Sequence, residues 1–351
     1  MTVTRLQTQA KRSAGARTDT TAGLIDTFQR THTYLRISLT EKCNLRCLYC
    51  MPEEGVTLTD KSHLMTYEEI IGIAKVFVKL GVNKIRLTGG EPLIRREVDV
   101  IIRALSQWPI ELTLTTNGVL VDKYIDVFKE AGIKSLNVSL DSLDADKFYS
   151  MTYRDYFEKV IANIDLLQTH GFRLKINAVL IKGENDDEII DFVDWTKDRP
   201  FEVRFIEFMP FSGNHWDMSR TVSYETIMTL VRQHFGESSV IKLDDKPHAT
   251  TRGYRIKDHC GTFAVISTVT NPFCDSCNRV RLTADGKIKN CLFSSEEIDL
   301  LGAYRKGDNI EHLIRTSILR KKFERSGIKT FDDESGKLIY LQNRSMISIG
   351  G

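Results

Sequence analysis

The chain has 351 residues, of which 41% are hydrophobic and 27% charged, and its formal net charge is +2. That is enough apolar material for one large barrel and a smaller domain. The balance of Lys and Arg against Asp and Glu gives no case for a nucleic-acid or membrane surface, and no window approaches the roughly eighteen apolar residues of a membrane span. The first 22 residues carry Arg5, Lys11, Arg12 and Arg17 against the single acid Asp19. This faintly resembles a transit peptide but lacks an apolar face, so it reads as a flexible extension. From residue 34 onward, predicted strands at 34–39, 84–87, 111–114, 135–140, 174–181 and 203–208 alternate with helices at 67–80, 98–108, 121–129, 157–169 and 186–197. Such alternation signals βα units and a parallel sheet. Six units, not eight, predict an open, partial (β/α)6 barrel over 23–210, with active groups at the C-terminal ends of its strands and a C-terminal domain over 211–351.

Directly after the first predicted strand, Cys43, Cys47 and Cys50 stand at C-x3-C-x2-C spacing. A cubane iron–sulfur cluster normally takes four thiolates, so three leave one iron open to a substrate or cosubstrate. Structural zinc wants four ligands, usually as two close pairs, and no histidine lies near enough in sequence to complete the set. A disulfide framework belongs to short secreted chains. A second set of three follows at Cys274, Cys277 and Cys291, so six of the seven cysteines fall into two incomplete clusters. The seventh, Cys260 beside His259, reads as a reduced, partly buried thiol, with a fourth-ligand role as the lesser alternative. Thiols of this kind persist in a reducing compartment, which points to the cytoplasm or an organelle matrix.

Other motifs also follow strands. Thr88-Gly89-Gly90-Glu91-Pro92 closes the second, where paired glycines either make a tight turn or let backbone approach a ligand. Thr115 to Gly118 closes the third, Asn137, Ser139 and Asp141 belong to the fourth, and Lys175 and Asn177 to the fifth. Alternate residues of a strand share a face, here the barrel interior. Arg36, Arg86, Lys175 and Arg204 interrupt apolar runs on four strands. One such cation can snorkel to the surface, whereas four predict a polyanion such as a triphosphate. No G-x4-G-K-[ST] loop is present, so a nucleotide would be held another way.

The three-cysteine loop, with the aromatic Tyr49 before its last cysteine, resembles that of the radical S-adenosylmethionine enzymes, and Gly-Gly-Glu-Pro is similar to their element for the cosubstrate's amino group. More narrowly, the chain from Phe28 to Gly351 resembles the family of GTP 3′,8-cyclases that begin molybdenum cofactor biosynthesis. The likeness rests on Tyr34-Leu35-Arg36-Ile37-Ser38, Cys50-Met51-Pro52, Arg86 to Pro92, Arg204 to Met209, Cys274 to Arg281, Asn290 to Phe293 and Ile349-Gly350-Gly351.

That resemblance implies two [4Fe-4S] clusters. Cys43, Cys47 and Cys50 would hold one together with S-adenosylmethionine, whose pocket Tyr49, Gly90, Ser139 and Met209 would line. Cys274, Cys277 and Cys291 would hold the other, with its open iron on the guanine base. Arg36, Arg86, Thr115, Lys175, Arg279, Val280 and Arg281 would contact GTP, with Lys84 and Arg204 as further phosphate candidates, and Arg279 and Arg281 would act in catalysis. The reaction implied is removal of the ribose C3′ hydrogen by a 5′-deoxyadenosyl radical and closure onto C8, giving (8S)-3′,8-cyclo-7,8-dihydroguanosine 5′-triphosphate. The Gly350-Gly351 tail would enter the active site, the alternative being simple fraying. Implied partners are an electron donor and the next enzyme, cyclic pyranopterin monophosphate synthase, with no nucleic acid or membrane and a monomer or homodimer as the assembly. One departure stands out: Arg325 occupies the place where relatives carry a histidine in a Lys-Lys-x-x-His pattern. A radical peptide-modifying enzyme with an auxiliary cluster is the alternative function.

Overall fold

A computed structural model describes residues 23–51, 55–331 and 343–350. The extension read at 1–22, Pro52 of the Cys-Met-Pro motif and the terminal Gly351 lie outside the described residues. Six parallel strands form the centre of the sheet, β1 (Tyr34–Ser38), β2 (Lys84–Thr88), β3 (Glu111–Thr116), β4 (Ser135–Ser139), β5 (Arg173–Leu180) and β6 (Glu202–Glu207). They pair in chain order, as successive βα units dictate. The partial barrel expected from the strand count is therefore the architecture found.

The sheet goes further than six strands. The C-terminal half supplies β7 (Val240–Lys242), β8 (Arg252–Ile256), β9 (Thr262–Ile266), β10 (Arg279–Leu282), β11 (Lys287–Lys289) and β12 (Ile298–Asp299). Of these, β9 adds parallel to β6 and β10 adds parallel to β1, while the other four continue each edge antiparallel. The result is one open sheet of order β12-β11-β10-β1-β2-β3-β4-β5-β6-β9-β8-β7. Because β9 and β10 are consecutive yet sit at opposite edges, the loop between them, which carries Cys274 and Cys277, runs from one edge of the six-stranded centre to the other.

Helices cover the apolar face: α1 (Tyr67–Lys79), α2 (Val98–Ser106), α3 (Ile125–Glu130), α4 (Ala145–Thr152), α5 (Phe157–Thr169), α6 (Ile189–Asp194), α7 (Tyr224–Phe235), α8 (Leu300–Arg305) and α9 (Ile310–Leu319), with α10 (Met346–Ile349) near the C-terminus. Leu35, Ile37, Ile85, Leu87, Leu136 and Val138 of the strands pack there with Ile70, Ile73 and Phe77 of α1. Helix α1 begins at a capping box, Thr66 with Glu69, and Gly81 follows its end at φ +98°, as its glycine suggested. The helix expected at 186–197 is shorter than its pattern. Glu188 turns inward to accept from the Leu143 amide and Ser142 Oγ, so the first turn is 3-10 and α6 starts only at Ile189. Helix α4 was not expected, because few apolar residues mark it; Asp144 caps it through the Lys147 amide. Among the described residues no helix is long and apolar enough to cross a membrane.

Candidate functional site

The other face of the sheet is polar, and strand register aligns its residues across strands. Arg36 of β1 lies opposite Arg281 of β10 on one side and Arg86 of β2 on the other, so three guanidinium groups stand in a row. The row continues in polar residues: Thr115 pairs with Asn137, Asn137 with Lys175, and Ser139 with Asn177. Three buried atoms on this face, Ser38 Oγ, Asn137 Oδ1 and Asn177 Oδ1, have no hydrogen-bond partner among the described residues. Buried polar atoms are normally satisfied, so a set of them on one face calls for a polar ligand. Arg86 is held in place by its own bonds to Tyr34 Oη (2.5 Å), the Leu114 carbonyl (2.9 Å) and Thr115 Oγ1 (3.2 Å). Burial, with Arg86 and Arg279 nearby, brings Arg36 down to about 10, and burial beside Arg204 brings Lys175 down to about 8. Crowded cations of this kind gain from an anion.

The first cysteine set lies at the C-terminal end of β1. Its loop is gripped by the glycine pair: Gly90 N donates to the Thr40 carbonyl and Glu91 N to the Lys42 carbonyl, each at 2.8 Å. A Cβ on Gly89 would sit 2.6 Å from Thr40 O, and one on Gly90 2.3 Å from Lys42 O. The glycines thus serve close approach by the cysteine loop, and the Gly90 amide is taken up by the Thr40 carbonyl. Glu91, fully buried, braces the next strand end by accepting from Asn117 N (2.7 Å), Leu93 N (3.0 Å) and Thr116 Oγ1 (2.9 Å). Tyr49 donates to Asp141 Oδ2 at 2.8 Å, and Asn214 Nδ2 ties the Tyr49 and Met209 carbonyls together. Leu45 N and Asn117 Nδ2 point at Cys43 Sγ. Burial pushes Cys43 up to about 11 against the donors from Leu45 and Asn117, and burial with Cys43 and Asp141 pushes Cys50 up to about 12.

The second set sits at the opposite end. Arg279, which follows Cys277 by two residues, pairs with Tyr34 at the start of β1, and Cys291 follows the antiparallel β11 at that same end. The expectation that the barrel's groups gather at the C-terminal strand ends holds for the first set and for Gly89, Gly90, Asn117 and Asp141, while the second set, outside the six central strands, lies at the other end. Four residue steps of β1, about 13 Å at the usual strand rise, separate the two levels, and the arginine row lies between them. Cys277 is partly buried, which pushes its thiol up, but Arg279 and Lys321 outweigh this and leave it at about 6. Lys321, 4% exposed, donates to Cys277 Sγ (3.3 Å) and to the Arg279 carbonyl (2.8 Å). Sequence reading passed over it, although a lysine in the departed Lys-Lys-x-x-Arg segment was the available signal. Arg30, sandwiched between Phe28 and Phe323, donates to the Cys274 carbonyl and was missed too.

Several predicted site residues find other places. Val280 is buried in the apolar core on the helix side, since alternation along β10 turns it away from Arg279 and Arg281. Lys84 is paired with Glu111 at 2.7 Å and Arg204 with Glu202, so neither is a lone cation. Ser139 and Thr115 remain on the polar face. Arg325 donates to the Val269 carbonyl and stacks over Phe331, bracing the loop that leads to Cys274. Cys260 is exposed, not partly buried. Gly350 reaches the C-terminal end of β1 and β2: Arg281 Nη1 donates to its carbonyl at 2.6 Å.

Among the described residues no three His, Cys, Asp or Glu side chains gather closely enough to hold a single metal ion. The first set instead offers three thiols from one loop whose charged forms repel one another, with N–H donors aimed at a sulfur. That donor set fits a cubane with one open corner.

Comparison with known proteins bears on the same residues. Residues 37–196 match the Radical SAM superfamily, and residues 201–326 match Molybdenum Cofactor Synthesis C. The mitochondrial GTP 3′,8-cyclase of Arabidopsis thaliana is 44% identical over 93% of this chain and 83% of that protein. The GTP 3′,8-cyclase of Peptoclostridium acidaminophilum is 41% identical over 95% of this chain and all of that protein. The chain belongs to the GTP 3′,8-cyclase family. It is a radical S-adenosylmethionine enzyme, and membership implies a [4Fe-4S] cluster and S-adenosylmethionine as cofactors. Against the longer molybdenum cofactor biosynthesis protein 1 of Homo sapiens, 42% identical, the chain spans about half, 51%, of that protein's length. Among solved structures, Streptococcus suis SuiB bound to S-adenosylmethionine superposes with a TM-score of 0.56 at 16% identity, covering 90% of this chain and 72% of that one. At that identity the likeness carries the fold and not the substrate.

Proposed function

We infer that this chain converts GTP into (8S)-3′,8-cyclo-7,8-dihydroguanosine 5′-triphosphate, the first step of molybdenum cofactor biosynthesis. Kinship with cyclases of that name supports it, and one observation carries it: the row Arg281, Arg36, Arg86 on a polar face between two three-thiol sets. Guanidinium forks match phosphate oxygens in geometry and charge. Arg36, Arg86, Arg281 and Lys175 hold the triphosphate, with Thr115 beside them and Lys84 and Arg204 at the margin. Cys43, Cys47 and Cys50 hold the cluster, and Tyr49, Gly90, Ser139 and Met209 line the cosubstrate's place. Cys274, Cys277 and Cys291 hold a second [4Fe-4S] cluster near the guanine.

When bound, the first cluster and S-adenosylmethionine supply the one-electron chemistry that removes a hydrogen atom from an unactivated C–H bond. The chain's residues make that removal selective. Arg86, fixed by Tyr34 and Leu114, has little freedom left to lose, so a phosphate it grips is held in one place. The substrate's length then spans the face, with the ribose toward the first set and the base toward the second. Hydrogen leaves C3′, C3′ bonds to C8, and one electron and one proton complete an isomer of GTP. Arg279 and Arg281 flank the second set and steady the charge on the base during that last step. The chain works in the cytoplasm, as a monomer or homodimer, with a separate electron donor, and passes its product to cyclic pyranopterin monophosphate synthase.

The test is anaerobic turnover of the iron-loaded protein with S-adenosylmethionine, a reductant and GTP deuterated at C3′. Deuterium in the 5′-deoxyadenosine is expected. Cleavage of the cosubstrate without label transfer would overturn the GTP assignment and leave the superfamily chemistry standing. A radical peptide-modifying activity is disfavoured by the cyclase relatives.

A further inference from the structure

The segment 343–350 ends at the polar face but is anchored elsewhere. Arg344 donates from Nη1 and Nη2 to both oxygens of Asp285 (2.9 and 2.8 Å), and Nη2 also meets Glu297 Oε2 (2.6 Å). The three side chains are only 23%, 9% and 12% exposed. Beside them the buried Lys289 ammonium bonds Asn343 Oδ1 (3.0 Å) and Glu297 Oε1 (3.2 Å), and Asn343 Nδ2 bonds the Leu292 carbonyl (2.9 Å). Asp285 lies in the turn before β11 and Lys289 ends that strand, directly opposite Arg281 of β10. The same β-ribbon therefore carries both the groups that hold the tail and the arginine that meets it.

From this anchor α10 runs inward with Ile347 and Ile349 each 1% exposed, and the chain turns at Gly350 with φ +85°. There Arg281 bonds the Gly350 carbonyl, and a Cβ at that position would come within 2.7 Å of Thr88 Oγ1 and 2.8 Å of Ser38 Cβ. The backbone is thus wedged among the strand ends, a seat only glycine fits. Its carbonyl is the neutral acceptor that orients Arg281 in a row of three cations.

We propose that Arg344, with Asp285, Glu297 and the Lys289–Asn343 pair, is a positioning clasp: it seats Gly350 so that Arg281 is held toward the substrate. Arg344 touches no substrate and acts through the tail. The proposal rests on the reading that the polar face binds GTP. Bidentate, largely buried ion pairs of this kind are geometrically exacting, and small misplacements at a reacting centre cost rate.

The test compares wild type, Arg344→Ala, Arg344→Lys and Lys287→Ala as holoenzymes. Lys287 lies 3.3 Å from Asp285 on the outside of the clasp and is half-exposed, so its removal is a control for local charge. Expected for Arg344→Ala is faster hydrogen exchange confined to the peptide 343–350 and a kcat lowered roughly a hundredfold, the scale of an ångström misplacement, with the melting temperature kept. Arg344→Lys should recover part of both, and Lys287→Ala should alter neither. Unchanged exchange in Arg344→Ala overturns the clasp. Faster exchange with unchanged kcat overturns the positioning of Arg281. If wild type turns over no GTP, the functional reading fails, while the exchange comparison still decides whether the clasp seats the tail.

Discussion

The two cysteine sets share a ligand count and differ in the field around them. At the C-terminal strand ends the thiols face burial, one another and the acids Asp141 and Glu91, and they are pushed up. At the opposite end Cys277 faces Arg279 and Lys321 and is drawn down to about 6 although it too is partly buried. Cluster potential depends on surrounding charge and hydrogen bonds, and nearby cations favour the more negative, reduced state. Burial raises Cys274 of the same set, so the contrast belongs to the one thiol that Arg279 and Lys321 face.

The bluntest way to break this comparison is to remove one ligand from each set. Cys47→Ser should abolish cleavage of S-adenosylmethionine, whereas Cys277→Ser should still release 5′-deoxyadenosine yet form no cyclised nucleotide. Each should retain about four of about eight irons, read by metal analysis. Loss of cleavage in both would deny the division of labour.

Gly90→Ala strikes the first set alone. Its Cβ would lie 2.3 Å from Lys42 O and 2.7 Å from Lys42 C, both backbone atoms. Overpacking of this kind costs about 2–3 kcal/mol, which urea unfolding of the apoprotein would measure. On the polar face, Arg86→Ala removes bonds to Tyr34, Leu114 and Thr115 together with the fork proposed to hold phosphate. Hydrogen bonds to charged groups are worth about 1.5–3 kcal/mol, so KM for GTP should rise roughly tenfold to a hundredfold, with cosubstrate cleavage largely retained.

Lys321→Met sharpens the contrast at the second set. Without the ammonium 3.3 Å away, the pH midpoint for alkylation of Cys277 in the apoprotein should move up from about 6, while Cys43 and Cys50 stay where they are. A midpoint that does not move would assign the lowering to Arg279 alone. The smallest effect concerns pH. Lys175 titrates at about 8, burial and Arg204 holding it low, so it is charged below that value and neutral above. The KM for GTP should therefore rise as pH climbs from 7 to 9, and Lys175→Arg should flatten the rise, because a guanidinium keeps its proton.

Much of this site was legible in the chain. The C-x3-C-x2-C loop is local, and its spacing survives any packing. Arg36, Arg86 and Lys175 were marked because a charge inside a β-branched run has few places to go. Other features needed a neighbour to be seen. Lys84 and Arg204 carry the same mark as Arg86, and only the fold shows Glu111 and Glu202 beside them. Val280 was grouped with its flanking arginines, although strand alternation sends it to the core. Lys321 and Arg30 leave no periodic signature; each matters through one partner far away in sequence.

The sequence by itself determined the alternation of strands and helices, the two sets of three thiols and the cations on strands, because each depends on residues within a few positions of one another. Tertiary structure decided where β9 and β10 join the sheet. That choice sets Arg281 against Arg36, carries the second cysteine set to the opposite end of the face, and brings Gly350 to Arg281. The physical reason is that a strand's neighbours are chosen by hydrogen bonding and burial across the whole sheet, and no local pattern encodes which edge a distant strand will find.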